Sequence, residues 1–260
     1  MNIFKNFFKI VNFQTVIVTI LSVIGTFICI KKEWYADLPS GLIGIAIIFP
    51  IVFSINAAYK RREEGLKYFS SLKASAIAFY YANRDWITVE NSGLQEEANL
   101  LIQKLFKVIK EYFTAHPKNE DEKKFYAVYD MFSEFSLFNE KLRAAGVSNS
   151  EISRLNQYLR AMIIDFEKMR NIFLYKTPIS LRAYSQVFLN LFPILYAPYF
   201  AEIGRTSFTI IGYIVAIIYS VVLVSLDNIQ EDMENPYDQI GEDDIHLDIV
   251  DEYKQVFETK

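Results

Sequence analysis

Apolar positions follow two different patterns along this chain. Four stretches, 10–30, 38–59, 183–201 and 206–226, are free of charge and almost continuously apolar. Each runs 19 to 22 residues, and about 20 apolar residues cross the hydrocarbon core of a bilayer. Between the second and third stretches the pattern changes to apolar residues every three or four positions, the period of amphipathic helices. Leu66, Phe69, Leu72, Ala76 and Phe79 share one face, and Leu94, Leu101, Leu105, Val108 and Ile109 share another before His116-Pro117 stops the helix. A third helix over 122–145 carries Phe125, Val128, Tyr129, Phe132, Phe135 and Leu142 and ends at Gly146. Ser148-Asn149-Ser150-Glu151 is a capping box for a fourth, running to about Tyr175. No alternating strand pattern and no glycine-rich loop interrupts the series.

The expected fold is an all-α membrane protein with four transmembrane helices in two hairpins and a large cytoplasmic helical region. Its segments are 1–59 (an interfacial lead-in with Ile3, Phe4, Phe7 and Phe8, then hairpin 1), 60–182 (the helical region), 183–226 (hairpin 2) and 227–260 (an acidic tail). No breaker separates the second stretch from 60–81, so one helix is expected to run on out of the membrane. Lys60, Arg61, Arg62, Lys168, Arg170, Lys176 and Arg182 flank the middle region, whereas the turn between the last two spans offers Arg205 and Glu202. Positive charge marks the cytoplasmic side. Both termini and the middle region are therefore expected inside, in a multi-pass arrangement.

Composition narrows the class. Of 260 residues 52% are hydrophobic and 22% charged, with a net charge of −4 and a mean hydropathy of +0.14, which excludes an ordinary cytosolic globule. A single cysteine, Cys29, excludes a disulfide-stapled domain. The first stretch is expected to stay as a span, because Lys31-Lys32-Glu33-Trp34 follows it where a cleavable leader would need small residues.

Catalytic chemistry finds no foothold. His116 and His246 have no companions at ligand spacing, and nucleophile-elbow, P-loop and dinucleotide patterns are missing. No enzyme activity is expected, and a pI near 5.4 argues against nucleic acid as a partner. Lys60-Arg61-Arg62 reads as a lipid head-group anchor. Residues 227–260 hold 12 acids and 2 bases, a solvated tail that also carries oxygen ligands suited to a hard cation. In the second span Ile45, Phe49 and Phe53 recur every four residues beside Gly44, with Pro50 between them. Such a stripe either packs against a neighbour or lines a pore in a symmetric oligomer.

Three ordered motifs resemble the bestrophin family. Gly44-Ile45 leads through Phe49, Phe53, Asn56-Ala57, Tyr59 and Arg61 to Glu64-Gly65; Arg170-Asn171-Ile172 precedes Lys176-Thr177-Pro178-Ile179 and Ala183-Tyr184; Glu234-Asn235-Pro236-Tyr237 precedes Asp244-Ile245-His246-Leu247-Asp248. Arg62 and Glu63 stand where the family has two tryptophans, and Asp238 replaces its glycine. The resemblance implies a homopentameric ion channel of the cell membrane, of bacterial inner-membrane style. Its pore neck would be Ile45, Phe49 and Phe53, and its cytoplasmic aperture Ile179. It further implies a Ca²⁺ site at Asn235 and Asp243 or Asp244, as in animal members. Chloride or other anions are the favoured permeant ions, with monovalent cations the alternative. A non-conducting membrane scaffold, binding a partner through aromatics such as Tyr80, Tyr81 and Trp86, is the competing expectation.

Overall fold

The computed structural model describes residues 11–38, 40–86, 92–115, 122–240 and 243–249, with Tyr253 and Val256; within 40–50 it describes the side chains of Gly44 and Phe49. Regular structure among these residues is helical: α1 (Phe13–Lys32), α2 (Ser40–Asp85), α3 (Ser92–Phe113), α4 (Glu122–Ala144), α5 (Asn149–Leu174), α6 (Ile179–Leu195), α7 (Ala197–Thr206) and α8 (Thr209–Glu234). The interfacial lead-in and the His116-Pro117 stop lie outside the described residues. The chain divides into two compact units, Met1–Lys60 with Thr177–Glu234, and Arg61–Lys176 with Asn235–Lys260.

In the first unit α1 packs on α6, α7 and α8, and α8 on α6 and α7. Its helices are built inside out. On α1 the buried positions are Thr15, Val18, Ser22, Thr26 and Cys29, while Val16, Ile17, Ile20, Leu21, Ile24, Phe27 and Ile28 face outward. On α8 Gly212, Ala216 and Ser220 are buried, and Ile210, Ile214, Ile217, Ile218 and Val222 are exposed. In lipid there is no apolar drive to bring helices together, so small residues pack inward and bulky ones meet the acyl chains. The inward hydroxyls are satisfied locally: Thr26 Oγ1 donates to the Ser22 carbonyl at 2.8 Å, and Ser22 Oγ to that of Pro193 at 2.7 Å. Three described helical stretches, Phe13–Lys32, Ile179–Thr206 and Thr209–Glu234, are long and apolar enough to cross a membrane.

The third expected span is not one rod. α6 stops at Leu195 and α7 starts at Ala197, with Tyr196 between them and prolines at 193 and 198. Proline lacks the N–H that would continue the ladder and its ring crowds the carbonyl four residues back. Glu202 and Arg205 are corrected from an external turn to α7 itself, where they pair at 2.7 Å. The chain then reverses through Ser207 and Phe208 at very close quarters. A Cβ on Gly212 would stand 2.5 Å from the Phe200 carbonyl and 3.2 Å from Gly204 Cα, so only glycine lets α8 meet α7 there.

The second unit is a conventional apolar core. Phe69, Leu72, Ala76 and Phe79 of α2 meet Leu101, Leu105 and Ile109 of α3, Val128, Phe132 and Phe135 of α4, and Leu155, Met162 and Phe166 of α5. α5 starts at the expected Ser148 cap, whose Oγ accepts the Glu151 N–H, and ends at Tyr175. An extended segment closes this core: Tyr237, Ile245, Leu247 and Ile249 are buried, while His246 and Asp248 alternate outward. Asp248 pairs with Lys110.

Candidate functional site

The candidate site is a stripe along α2. At 3.6 residues per turn, positions 49, 53, 56 and 60 fall within about 60° of one another. Phe49 and Phe53 are 59% and 61% exposed, with ring centroids 6.1 Å apart; Val52 beside them is 56% exposed, and Asn56 and Lys60 are also exposed. The opposite face holds Ile51, Ser54 and Ala58, each at most 2% exposed, and Ile51 packs with Leu189 and Leu223. Two of the three expected neck residues thus share an exposed face among the described residues. The Ile45 side chain lies outside the described residues.

The basic cluster at 60–62, read above as one head-group anchor, divides three ways. Arg61 donates to the carbonyls of Ile172 and Tyr175. Arg62 donates to the Asp243 carbonyl at 2.7 Å and pairs with Glu63 at 2.6 Å. Lys60 has no hydrogen-bond or ion-pair partner among the described residues, and it belongs to the same face as the two phenylalanines.

Ile179, the expected aperture residue, is 76% exposed at the first turn of α6. The turn before it is held from beneath: the Thr177 N–H donates to Glu234 Oε2 at 3.3 Å, with both residues at most 4% exposed. Glu234 as the anchor of this turn was not found by sequence reasoning, although both residues lie in the quoted motifs.

The expected calcium residues point elsewhere. Asn235 Nδ2 donates to Asp238 Oδ2 at 3.0 Å, and its Oδ1 accepts the Tyr237 N–H at 3.4 Å. Asp243 is exposed and its carbonyl is taken by the Arg62 guanidinium, while Asp244 is half-buried. A cation already sits on that carbonyl and an amide on the neighbouring carboxylate, so this arrangement does not fit a calcium ion. Among the described residues no group of three or more His, Cys, Asp or Glu is placed to hold a metal.

Of the aromatics expected to serve a partner-binding scaffold, one is buried and two are exposed. Tyr80 is buried, a correction to its expected exposure, and the Arg84 guanidinium lies 4.7 Å from the Tyr81 ring. Trp86 is exposed, with the Arg154 guanidinium 5.2 Å from its ring.

No family model and no curated protein sequence matches the chain. Solved structures do. A bacterial bestrophin homologue from Klebsiella pneumoniae aligns with a TM-score of 0.76 at 15% identity, covering 94% of each chain. A variant of it with one substitution gives 0.78 at 16% identity over 94% of this chain and 98% of that one. A structure described as a membrane protein, also with one substitution, gives 0.75 at 16% identity over 95% and 97%.

Proposed function

The chain has the fold of the bacterial bestrophin homologues across nearly its full length, and on that premise we propose that it is the subunit of a bestrophin-like ion channel. In this reading five copies assemble in the cell membrane, with both termini cytoplasmic, four spans per subunit and the fourth supplied by the apolar half of α2. Ile45, Phe49 and Phe53 form the neck on the five-fold axis, and Ile179 rings the cytoplasmic aperture.

The observation that carries the proposal is the exposed aromatic pair Phe49–Phe53 on a helix whose other face is buried. Two neighbouring phenylalanines facing outward next to an exposed asparagine and lysine fit a pore wall better than a uniformly apolar lipid face. Closed rotational symmetry would turn the stripe into rings. A ring of apolar side chains gates by dewetting, and the positive edge of each phenyl ring tolerates a partly dehydrated anion. Passive flow, with anions favoured over monovalent cations, follows from that chemistry.

The competing scaffold reading loses Tyr80, which is buried, and keeps Tyr81 and Trp86, which are exposed beside arginines. Purified protein in a planar bilayer under a KCl gradient tests the choice. Stable current is expected. Silence across a voltage and calcium series, from a preparation shown to be oligomeric, overturns the channel.

A further inference from the structure

We infer that Lys60 sets the charge preference of this pathway, forming a basic ring just inside the phenylalanine neck that admits anions and turns cations back. The inference rests on the channel reading above and adds to it a residue and a permeant class. Three observations carry it. Lys60 continues the register of Phe49 and Phe53 two turns beyond Phe53 on one unbroken helix, with Asn56 between them. It is exposed, as they are. The two arginines that follow it are spent, Arg61 on backbone carbonyls and Arg62 on the Asp243 carbonyl and Glu63, whereas Lys60 has no partner among the described residues.

The electrostatics follow from symmetry. If Phe49 and Phe53 face a shared axis, Lys60 faces it too, and every copy adds one unneutralised ammonium at the same depth. A ring of like charges beside a low-dielectric constriction concentrates counter-ions and repels ions of its own sign. Of the nearest carboxylates along the helix, Glu63 is held by Arg62 at 2.6 Å, and the exposed Glu64 lies one turn further from the phenylalanines than the ammonium does. Net charge would point the other way: the chain is acidic overall, yet the charge on the stripe that stands nearest the phenylalanines is basic, with Glu64 one turn further along the same face.

The test is the reversal potential of full-length protein in a planar bilayer under a KCl gradient, for the natural chain and for Lys60→Gln, Lys60→Glu and Lys60→Arg. The natural chain and Lys60→Arg are expected to reverse toward the chloride potential. Lys60→Gln should lower the chloride-to-potassium permeability ratio by roughly tenfold, the lower end of electrostatic focusing, and Lys60→Glu should move reversal to the potassium side. The shift should shrink as KCl rises from about 0.1 to 1 M, because the screening length falls from about 10 to 3 Å. An unmoved reversal potential in both Gln and Glu variants that conduct overturns the role of Lys60, as does an equal shift from Lys31→Glu, a surface lysine at the end of α1. Absence of current from the natural chain overturns instead the channel reading beneath it.

Discussion

A Cβ built on Gly65 would stand 2.7 Å from the hydroxyl oxygen of Tyr237 and 3.2 Å from its Cζ. The two residues are 172 positions apart in sequence, and their contact joins α2 to the extended closing segment within one core. Real Cβ atoms do not approach so closely, so Gly65→Ala must push the tyrosine ring away from Phe113, whose centroid lies 4.7 Å from it. Overpacking of this kind costs about 1–3 kcal/mol. Thermal unfolding of the detergent-solubilised protein should show the loss, and an unchanged midpoint would mean that the segment is not seated as described.

Tyr237→Phe should do the reverse. The ring is fully buried and its hydroxyl has no hydrogen-bond partner among the described residues, while burial pushes its pKa well above that of a free tyrosine. Removing an unsatisfied buried hydroxyl recovers a desolvation cost of about 1 kcal/mol. The same change takes away the atom nearest to position 65, so combining it with Gly65→Ala should cost less than the two effects added. Additive denaturation midpoints would contradict the contact.

Tyr129 makes the alkaline limit of stability measurable. Burial first, and then its hydrogen bond to Glu167, push its pKa from 10.0 up to about 12. A phenol whose folded-state pKa is raised stabilises the fold fully below pH 10.0 and loses that contribution as pH rises through about 12. Unfolding midpoints of the natural chain should therefore fall across that window. Tyr129→Phe should remove this component of the fall, and an unaltered profile would assign the alkaline transition to another group.

Glu234 supports the turn that presents Ile179. Glu234→Ala leaves the buried Thr177 N–H without its acceptor, a loss of about 1–3 kcal/mol, whereas Glu234→Gln keeps an acceptor oxygen and should be much milder. If the channel narrows at Ile179, Glu234→Ala should also alter conductance, and should do so far less in an Ile179→Ala background. Equal effects in both backgrounds would separate Glu234 from the aperture.

Phe49→Ala and Phe53→Ala are expected to raise conductance or loosen gating, since each removes one ring of side chains at the proposed constriction. Single-channel recording decides it. Unchanged conductance in both variants would return the stripe to plain packing.

What the sequence made legible was local. The Ser148 cap and the end of α5 near Tyr175 appeared where expected, because capping is settled by four adjacent residues. The continuation of the second apolar stretch into α2 followed from the lack of any breaker. The fate of Lys60-Arg61-Arg62 was not legible. Three adjacent bases look alike until the helix turns each by about 100° and finds carbonyls for two of them. The closing segment was hidden as well: Ile245, Leu247 and Ile249 alternate over five residues amid a dense run of acids, and only the groove between helices tells them from a solvated tail. The break at Tyr196 was announced by two prolines, yet hydropathy alone runs straight across it.

That closing segment also imposes an order on synthesis. The helices of Arg61–Lys176 leave the ribosome early, but the pieces that cover their core, Tyr237 and Ile245 to Ile249, come only after α6, α7 and α8 have been made. At roughly 5–20 residues per second, a nascent chain holds that groove open for several seconds while α6, α7 and α8 are being made. A premature stop after Glu234 would therefore yield all eight described helices attached to an uncapped, adhesive core, a product for quality-control proteases rather than a shorter working protein.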